Sequence, residues 1–505
     1  MPTPPLAGGT TGPAALRPLI DTVLTALHDG ARRRDGPLPA GGPDTVTPHL
    51  RTALRPVIPD QGTGAHHALA TLITALTEGA ADPADPLCAA HLHTPPLALA
   101  AAADLAASAL NPSMDSWDQA PAASALEADL TTALAAEIYP HRTAPDALVT
   151  TGGTEANQLA LLLARERHGH IQTISGANAH HSITRAAWLL GLPAPLTIPA
   201  PTGVMDLTAL DDTLTRLHRR PGTPVLVTAT AGTTDTGQID PLAEIAALCT
   251  THGAELHIDA AYGGPLLFSP THRNKVHGLD RAHSVTLDLH KLGWQPASAG
   301  ILAVPDRHHL DALHHHAPYL NAGDDTEAGL PDLLGRSLRT TRRPDALKIA
   351  VTLQALGRTG LADLIDRTCA AAHRLADLIT KTPALDLYDH PTISTVLFRP
   401  TDATDHTVAA IRRTLLTRGH AVLGRTHAHG RLWLKATLLN PHTTPHDLRE
   451  LLDLVTHLAT EISETAETGE TAGTAATAGP AETAGTAGTA EISETAETTE
   501  GSTPR

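Results

Sequence analysis

The side chains with the most chemical potential lie in four segments between residues 150 and 296. TTGGTEAN (150–157) puts two glycines between a predicted strand and a predicted helix. Glycine lets the backbone approach a ligand closely, and a helix N-terminus offers free N–H groups and a positive dipole end to an anion. Alone, the segment is equally a tight strand-to-helix turn. ANAHHSITRAA (177–187) sets His180 and His181 just past the next strand, where ligands of open α/β sheets collect. In a chain with 32 histidines, an arbitrary pair is ordinarily a surface pair. HIDAAYGG (257–264) brings Asp259 to the end of an apolar strand. A buried carboxylate there needs a cationic or donor partner, and the plain alternative is a cap or turn residue. SVTLDLHKLGWQP (284–296) places Lys291 after another buried strand, where desolvation would lower its pKa as imine-forming chemistry needs. A structural salt bridge is the competing reading.

These residues need a scaffold that delivers strand ends to one place. DALVT (146–150), IQTIS (171–175), PVLVTATAG (224–232), AELHIDA (254–260), HSVTLDL (283–289) and GILAVP (300–305) read as buried strands. TEANQLALLLARERHG (154–169) and PLAEIAALCTTHG (241–253) read as helices between them. Strands separated by helices of this length imply a mostly parallel sheet covered on both faces. Upstream, a helix is expected from about Pro18, a loop over 29–47, and helices over 64–80 and 96–110. Downstream, 344–382 is helical, and 391–460 alternates strand and helix, with strands in TISTVLFRP and GRLWLKATLL. The expected organisation is a disordered stretch 1–15, a helical segment 16–110, a large domain 111–343, a small α+β domain 344–462 and a tail 463–505. EISETAET occurs at 461–468 and again at 491–498 within Gly/Thr/Ala filler, a composition too poor in apolar residues to offset its ordering entropy.

Composition narrows the function classes. Apolar residues make up 41% of the 505 positions but aromatics only 2%, so the core must be built from Ala, Leu, Val and Ile. The formal charge is −17, and residues 461–505 contribute nine Glu against one Arg. An acidic body without a basic stripe argues against nucleic-acid binding. Cys88, Cys249 and Cys369 form no close pair or CxxC, which suits a reducing compartment and offers no zinc framework. No apolar run approaches about 18 residues and the N-terminus lacks a signal-peptide pattern, so a cytoplasmic chain without membrane contact is expected. Three consecutive histidines, 314–316, point in different directions, and no metal is expected there.

Taken together, an anion-binding turn, a His, an Asp on one strand end and a Lys on the next are what a pyridoxal-phosphate site of the aspartate-aminotransferase-like (type I) fold requires. The chain resembles the group II pyridoxal-phosphate decarboxylases in NPSMDSWDQAPAASALE (111–127), TTGGTEANQLALLLAR, HIDAAYGG and DLHKLGWQP, over about residues 50–460. Within that family it looks most like the L-2,4-diaminobutyrate and siderophore-type lysine decarboxylases, on HLHTPP, SMDSWDQAP, YLNAGDD, SLRTTRRPDALK and LKATLLNP. The resemblance implies that Lys291 holds the cofactor as a Schiff base and that His290 lies near the phosphate. Asp259 would pair with the pyridinium nitrogen, Ala261 would pack on the ring, and His180 would stack on its outer face. Gly152, Gly153, Thr154 and Asp288 fall at the phosphate. Asp288 departs from relatives that carry Asn, and an acidic group there would repel a phosphate. Tyr319 matches a proton donor on a mobile catalytic loop, which favours plain decarboxylation.

For the substrate, Lys435 aligns with an Arg that binds the α-carboxylate in glutamate decarboxylases. Asp115 falls where other members carry an aromatic residue and, with Asp118, would suit a distal ammonium. His93, in HLHTPP, joins them as a substrate-side residue. The expectation is therefore decarboxylation of an L-diamino acid (2,4-diaminobutyrate, ornithine or lysine). Decarboxylation of an aromatic, acidic or branched-chain amino acid is the first alternative, and an aminotransferase on the same fold the second. The family also implies a homodimer with shared active sites, residues 91–118 crossing between subunits.

Overall fold

The computed structural model describes residues 3–219, 222–315, 317 and 320–475, with side chains to 464. A seven-stranded sheet organises the chain: β1 (Asp146–Thr150), β2 (Gln172–Gly176), β3 (Leu196–Ile198), β4 (Val225–Thr230), β5 (Glu255–Ala260), β6 (Ser284–Asp288) and β7 (Gly300–Val304), in the order β1-β7-β6-β5-β4-β2-β3. All neighbours pair parallel except β7, which runs antiparallel to both β1 and β6. The expected mostly parallel sheet is present, with one reversed strand, because the chain returns beside β6 without a crossover helix.

The pleat distributes side chains to two helical layers. Along β1, Ala147 and Val149 join Leu130 and Leu134 of the helix Pro121–Ile138, whereas Leu148 faces Leu159 and Leu163 of the helix Gly153–His168. Likewise Val227 of β4 joins the first layer and Leu226 packs with Ile183 and Ala186 of the helix Ser182–Leu189. With few aromatics available, fully buried alanines such as Ala135, Ala229, Ala260 and Ala303 bring backbone layers close, and Trp294, Tyr139 and Tyr262 fill the larger spaces.

A second, four-stranded antiparallel sheet orders as β10-β11-β9-β8, from β8 (Leu385–Leu387), β9 (Thr395–Pro400), β10 (Gly424–Ala428) and β11 (Arg431–Thr437). The predicted strands in TISTVLFRP and GRLWLKATLL are β9 and β11. The short β3 and β8 and the polar β10, GRTHA, carry too little apolar pattern to announce themselves. The helix Ala346–Thr380 is broken at Gly357, whose φ is 61°.

Several boundaries differ from expectation. The first helix is Gly12–Arg34, begun by Pro13 at its first turn, so ordered structure starts inside the segment read as disordered. The expected loop 29–47 shrinks, because a second helix occupies Pro43–Leu54. Residues up to Ala459 form one compact unit, so the small sheet does not separate as its own unit. The last helix, Pro445–Ala475, continues past the start of the expected tail. The tail beyond 475 lies outside the described residues. No helix among the described residues is long and apolar enough to cross a membrane.

Candidate active site

The C-terminal ends of β1, β2, β4, β5 and β6 surround a cavity of about 310 Å³ lined by Gly152, Gly153, Thr154, Asn157, His180, Asp259, Ala261, Asp288, His290 and Lys291, with Leu92, Thr230, Thr234 and Tyr262. The topology places ligands at this sheet edge. Four segments widely separated in sequence thus converge.

The turn after β1 has no room for side chains. Gly152 has φ 153°, and a Cβ there would sit 2.8 Å from His290 Cε1. A Cβ on Gly153 would sit 2.9 Å from the Ala261 Cβ and 3.1 Å from Asp288 Oδ2. Glu155 fixes the entry to the helix by accepting from the Thr151 N–H, just before the N-cap Gly152, at 2.6 Å. The first helical N–H groups are thereby presented to the cavity without competing side chains.

Asp259, 5% exposed, accepts from the Ala261 N–H at 3.1 Å and from Asn157 Nδ2 at 2.8 Å. Asn157 is the centre of a buried network that sequence reading missed. Since a carboxylate only accepts, Nδ2 faces Asp259, and it also donates to Ser182 Oγ at 2.9 Å. Oδ1 then accepts from Thr286 Oγ1 at 2.8 Å and from His257 Nε2 at 3.0 Å. His257 therefore carries its proton on Nε2, and Nδ1 accepts from Ser284 Oγ at 2.9 Å. Burial pushes the His257 pKa down to about 4 despite the nearby Asp259, so the ring is neutral. Ser182 Oγ extends the network to His180 Nδ1 at 2.8 Å, and the Ser182 N–H points to the same nitrogen at 3.3 Å. His180 thus keeps its proton on Nε2. Burial lowers its pKa, with Asp259 opposing. One amide therefore links Asp259 and His180. The sequence signal for it is Asn157 at the fifth position of a helix whose N-terminus faces the site.

Asp288, 1% exposed, ends β6. Its Oδ2 lies 3.0 Å from Lys291 Nζ and 3.5 Å from His290 Nε2. Its Oδ1 is buried and has no hydrogen-bond partner among the described residues. His290 Nδ1 accepts from the Ala299 N–H at 3.3 Å, and burial lowers its pKa.

The substrate-side residues stand further off. Lys435, on β11, is buried, and its Nζ donates to the carbonyl of Thr234, a cavity-lining residue, at 2.9 Å. Burial lowers its pKa, opposed by Asp235. Asp115 is 5% exposed and accepts from Gln119 Nε2 at 2.8 Å. Its segment is anchored by the Met114 N–H on the Arg342 carbonyl, and Arg342 forms a buried two-pronged pair with Glu127 at 2.6 and 2.7 Å. Asp115 and His93 do not line the cavity, although Leu92 does, and Asp118 is exposed. Tyr319 lies outside the described residues.

The set offers an amine for an aldehyde, a buried carboxylate for a ring nitrogen, an imidazole and a small side chain to flank a ring, and backbone donors for an anion. The two glycines leave space that any Cβ would fill, so the donor set and the cradle fit pyridoxal phosphate.

Comparison with known proteins agrees. Residues 49–401 match the family model described as pyridoxal-dependent decarboxylase conserved domain. The chain is 41% identical over 418 residues to an L-2,4-diaminobutyrate decarboxylase of Rhizobium meliloti (strain 1021), covering 80% of this chain and 84% of the relative. It is 32% identical to the enzyme of the same name from Acinetobacter baumannii, covering 82% and 88%. A crystal structure of the glutamate decarboxylase domain of diaminobutyrate-pyruvate transaminase and L-2,4-diaminobutyrate decarboxylase from Vibrio parahaemolyticus superposes with a TM-score of 0.80 at 32% identity, over 90% of this chain and 98% of that one. The convergence of five strand ends on one lysine-bearing cavity, on an aspartate-aminotransferase-like fold, thus has a family to explain it: the chain belongs to the pyridoxal-dependent decarboxylases and is a pyridoxal-phosphate-dependent carboxy-lyase.

Proposed function

We propose that the chain decarboxylates an L-diamino acid, with 2,4-diaminobutyrate first and ornithine or lysine next, to the corresponding amine and carbon dioxide. The observation that carries this is the pair of L-2,4-diaminobutyrate decarboxylases to which the chain is similar over four fifths of its length. The buried carboxylate of Asp115 supports it, since a distal ammonium needs a desolvated anion as partner. Because Asp115 does not line the cavity of a single chain, we further propose a homodimer in which residues 91–118 of each chain complete the other's site. The three unpaired cysteines suit a cytoplasmic setting.

Pyridoxal phosphate, when bound, supplies an electron-withdrawing ring conjugated to the substrate's α-carbon. Lys291 would be the residue that holds the cofactor's aldehyde, its amine lying in the cavity beside Asp288. Asp259 would keep the ring nitrogen protonated, and Asn157 keeps that carboxylate aimed by donating to Oδ2. His180 would flank the ring; its Nδ1 is engaged by Ser182, so the imidazole keeps its proton on Nε2. Gly152, Gly153, Thr154 and His290 would hold the phosphate. Lys435 would orient the α-carboxylate as a point charge, and Tyr319 would be the proton donor to the α-carbon.

The test is carbon dioxide release from a panel of L-amino acids alongside the absorbance of bound cofactor. Release from a diamino acid, abolished in Lys291→Ala together with the absorbance band, is expected. Turnover confined to aromatic, acidic or branched-chain substrates would remove the diamino reading. An intact band that yields keto acid in place of carbon dioxide would convert the assignment to an aminotransferase.

A further inference from the structure

Asp288 is a carboxylate where a phosphate would be expected to tolerate none. Both its oxygens face the glycine turn: the Cβ positions of Gly152 and Gly153 lie 3.8 Å from Oδ1 and 3.1 Å from Oδ2. Before any cofactor is attached, Oδ2 is engaged by the free Lys291 amine, while Oδ1 is fully buried with no donor among the described residues. A buried acceptor without a partner is costly and marks a place where a ligand donor belongs. The helix that starts at Gly153 aims its free N–H groups into the same space, so the ligand portion that lands there is anionic.

An anion that is also a donor satisfies both demands. A phosphate monoester bearing one proton is such a group, and its second ionisation lies near 6, about two units above that of a carboxyl group. Two like charges in a buried site share a proton, as paired carboxylates do, and the proton stays on the more basic partner.

We propose that Asp288 selects the singly protonated phosphate of the cofactor: the P–OH donates to Asp288 Oδ1, and the bound group carries one negative charge where the free monoester carries two. The extra proton comes from solvent on binding. This rests on the cofactor placement given under the proposed function.

The surrounding charges leave room for it. On Asp288's own segment stand His290, neutral through burial with Nδ1 occupied by the Ala299 N–H, and Lys291, whose amine is committed to the aldehyde. The turn Gly152–Thr154 has no titratable side chain, and Glu155 is turned back onto the Thr151 N–H and Arg339. From the segment after β2 comes His180, also shifted towards neutrality. From β5 comes Asp259, held by Asn157. From the long helix comes Lys348, paired at 3.2 Å with both Asp104 and Asp345. No cation among these is free to neutralise a dianion and Asp288 together.

Phosphorus-31 NMR of the holoenzyme between pH 6 and 9 tests this, because the monoanion and dianion of a phosphate monoester resonate at different positions. The wild-type resonance is expected at the monoanion position throughout, although free cofactor becomes dianionic over this range. In Asp288→Asn, where the amide donates to the phosphate, the resonance is expected at the dianion position. A wild-type resonance at the dianion position, or one that titrates like free cofactor, overturns the proposal. So does a monoanion resonance that survives in Asp288→Asn. Should that variant lose the cofactor or fail to fold, the wild-type spectrum still decides. Absence of any cofactor absorbance in the wild type would instead count against the cofactor placement itself.

Discussion

Acid should unfold this protein partly through His257, and one substitution can isolate that contribution. An unfolded histidine titrates near 6.5, whereas the fully buried His257 titrates at about 4. Between those values the unfolded chain binds the proton and the folded chain does not, so stability is fully present above pH 6.5 and is lost as pH falls towards 4. Roughly 2.5 pKa units correspond to about 3 kcal/mol. That is a large share of a typical folding free energy of about 5–15 kcal/mol. His257→Gln keeps a donor for Asn157 Oδ1 and removes the titration. At pH 7 the variant should be somewhat less stable than wild type because the Ser284 contact is altered. On going to pH 4.5 the wild type should lose about 2–3 kcal/mol more than the variant, so the two curves converge. Urea unfolding by far-UV circular dichroism across this pH range, at one protein concentration, reads the difference. The other buried histidines, such as His283 and His290, titrate in both proteins and cancel. Curves that stay parallel from pH 7 to 4.5 would refute the assignment of His257 as a neutral, Nε2-protonated donor.

Two further outcomes follow from the site's geometry. Gly152→Ala combines a positive φ with a Cβ 2.8 Å from His290 Cε1, so it should cost about 1–2 kcal/mol of stability and displace the phosphate turn; cofactor titration by absorbance should show at least a tenfold weaker fit. Asn157→Ala leaves the Asp259, Ser182, Thr286 and His257 side chains each short of a partner. It should destabilise by about 3 kcal/mol or more and shift the pH profile of the bound cofactor's absorbance, because Asp259 is no longer aimed. A merely structural Asn157 would change the melting temperature and leave that profile in place.

The strands that lead to Asp259, Asp288 and Lys291 were legible because ELHIDA and SVTLD set an aliphatic residue at every second position, the period of a strand. The gathering of those ends into one cavity was legible only through motif order, since a single segment such as HIDAAYGG is equally a turn. Asn157 was hidden inside an ordinary amphipathic helix, and His257 inside a strand where it looks like one more of many histidines. Their roles emerge only when the helix Gly153–His168 is laid across β5 and β6. Asp115 could be picked out as an unusual carboxylate, but its burial beside Gln119, on a segment anchored at Arg342, depends on contacts more than two hundred residues apart. The reversed β7 was not foreseen because GILAVP reads the same in either direction.

That reversal bears on how the protein assembles. β6 and β7 pair with Val285 opposite Ala303 and Asp288 opposite Gly300, and the eleven residues between them carry Lys291. This is the large sheet's one local, hairpin-like closure, and it costs little loop entropy. β1 by contrast pairs Asp146 with Val304 across more than one hundred and fifty residues, and the phosphate turn hangs from its end. Contacts of short sequence separation form ahead of long ones. The lysine turn is thus expected early in folding and the glycine cradle late, so the complete site exists only once the edge strand has docked. A ligand that bridges both turns would act as a latch on that last step, slowing edge-strand opening in hydrogen exchange in proportion to its occupancy.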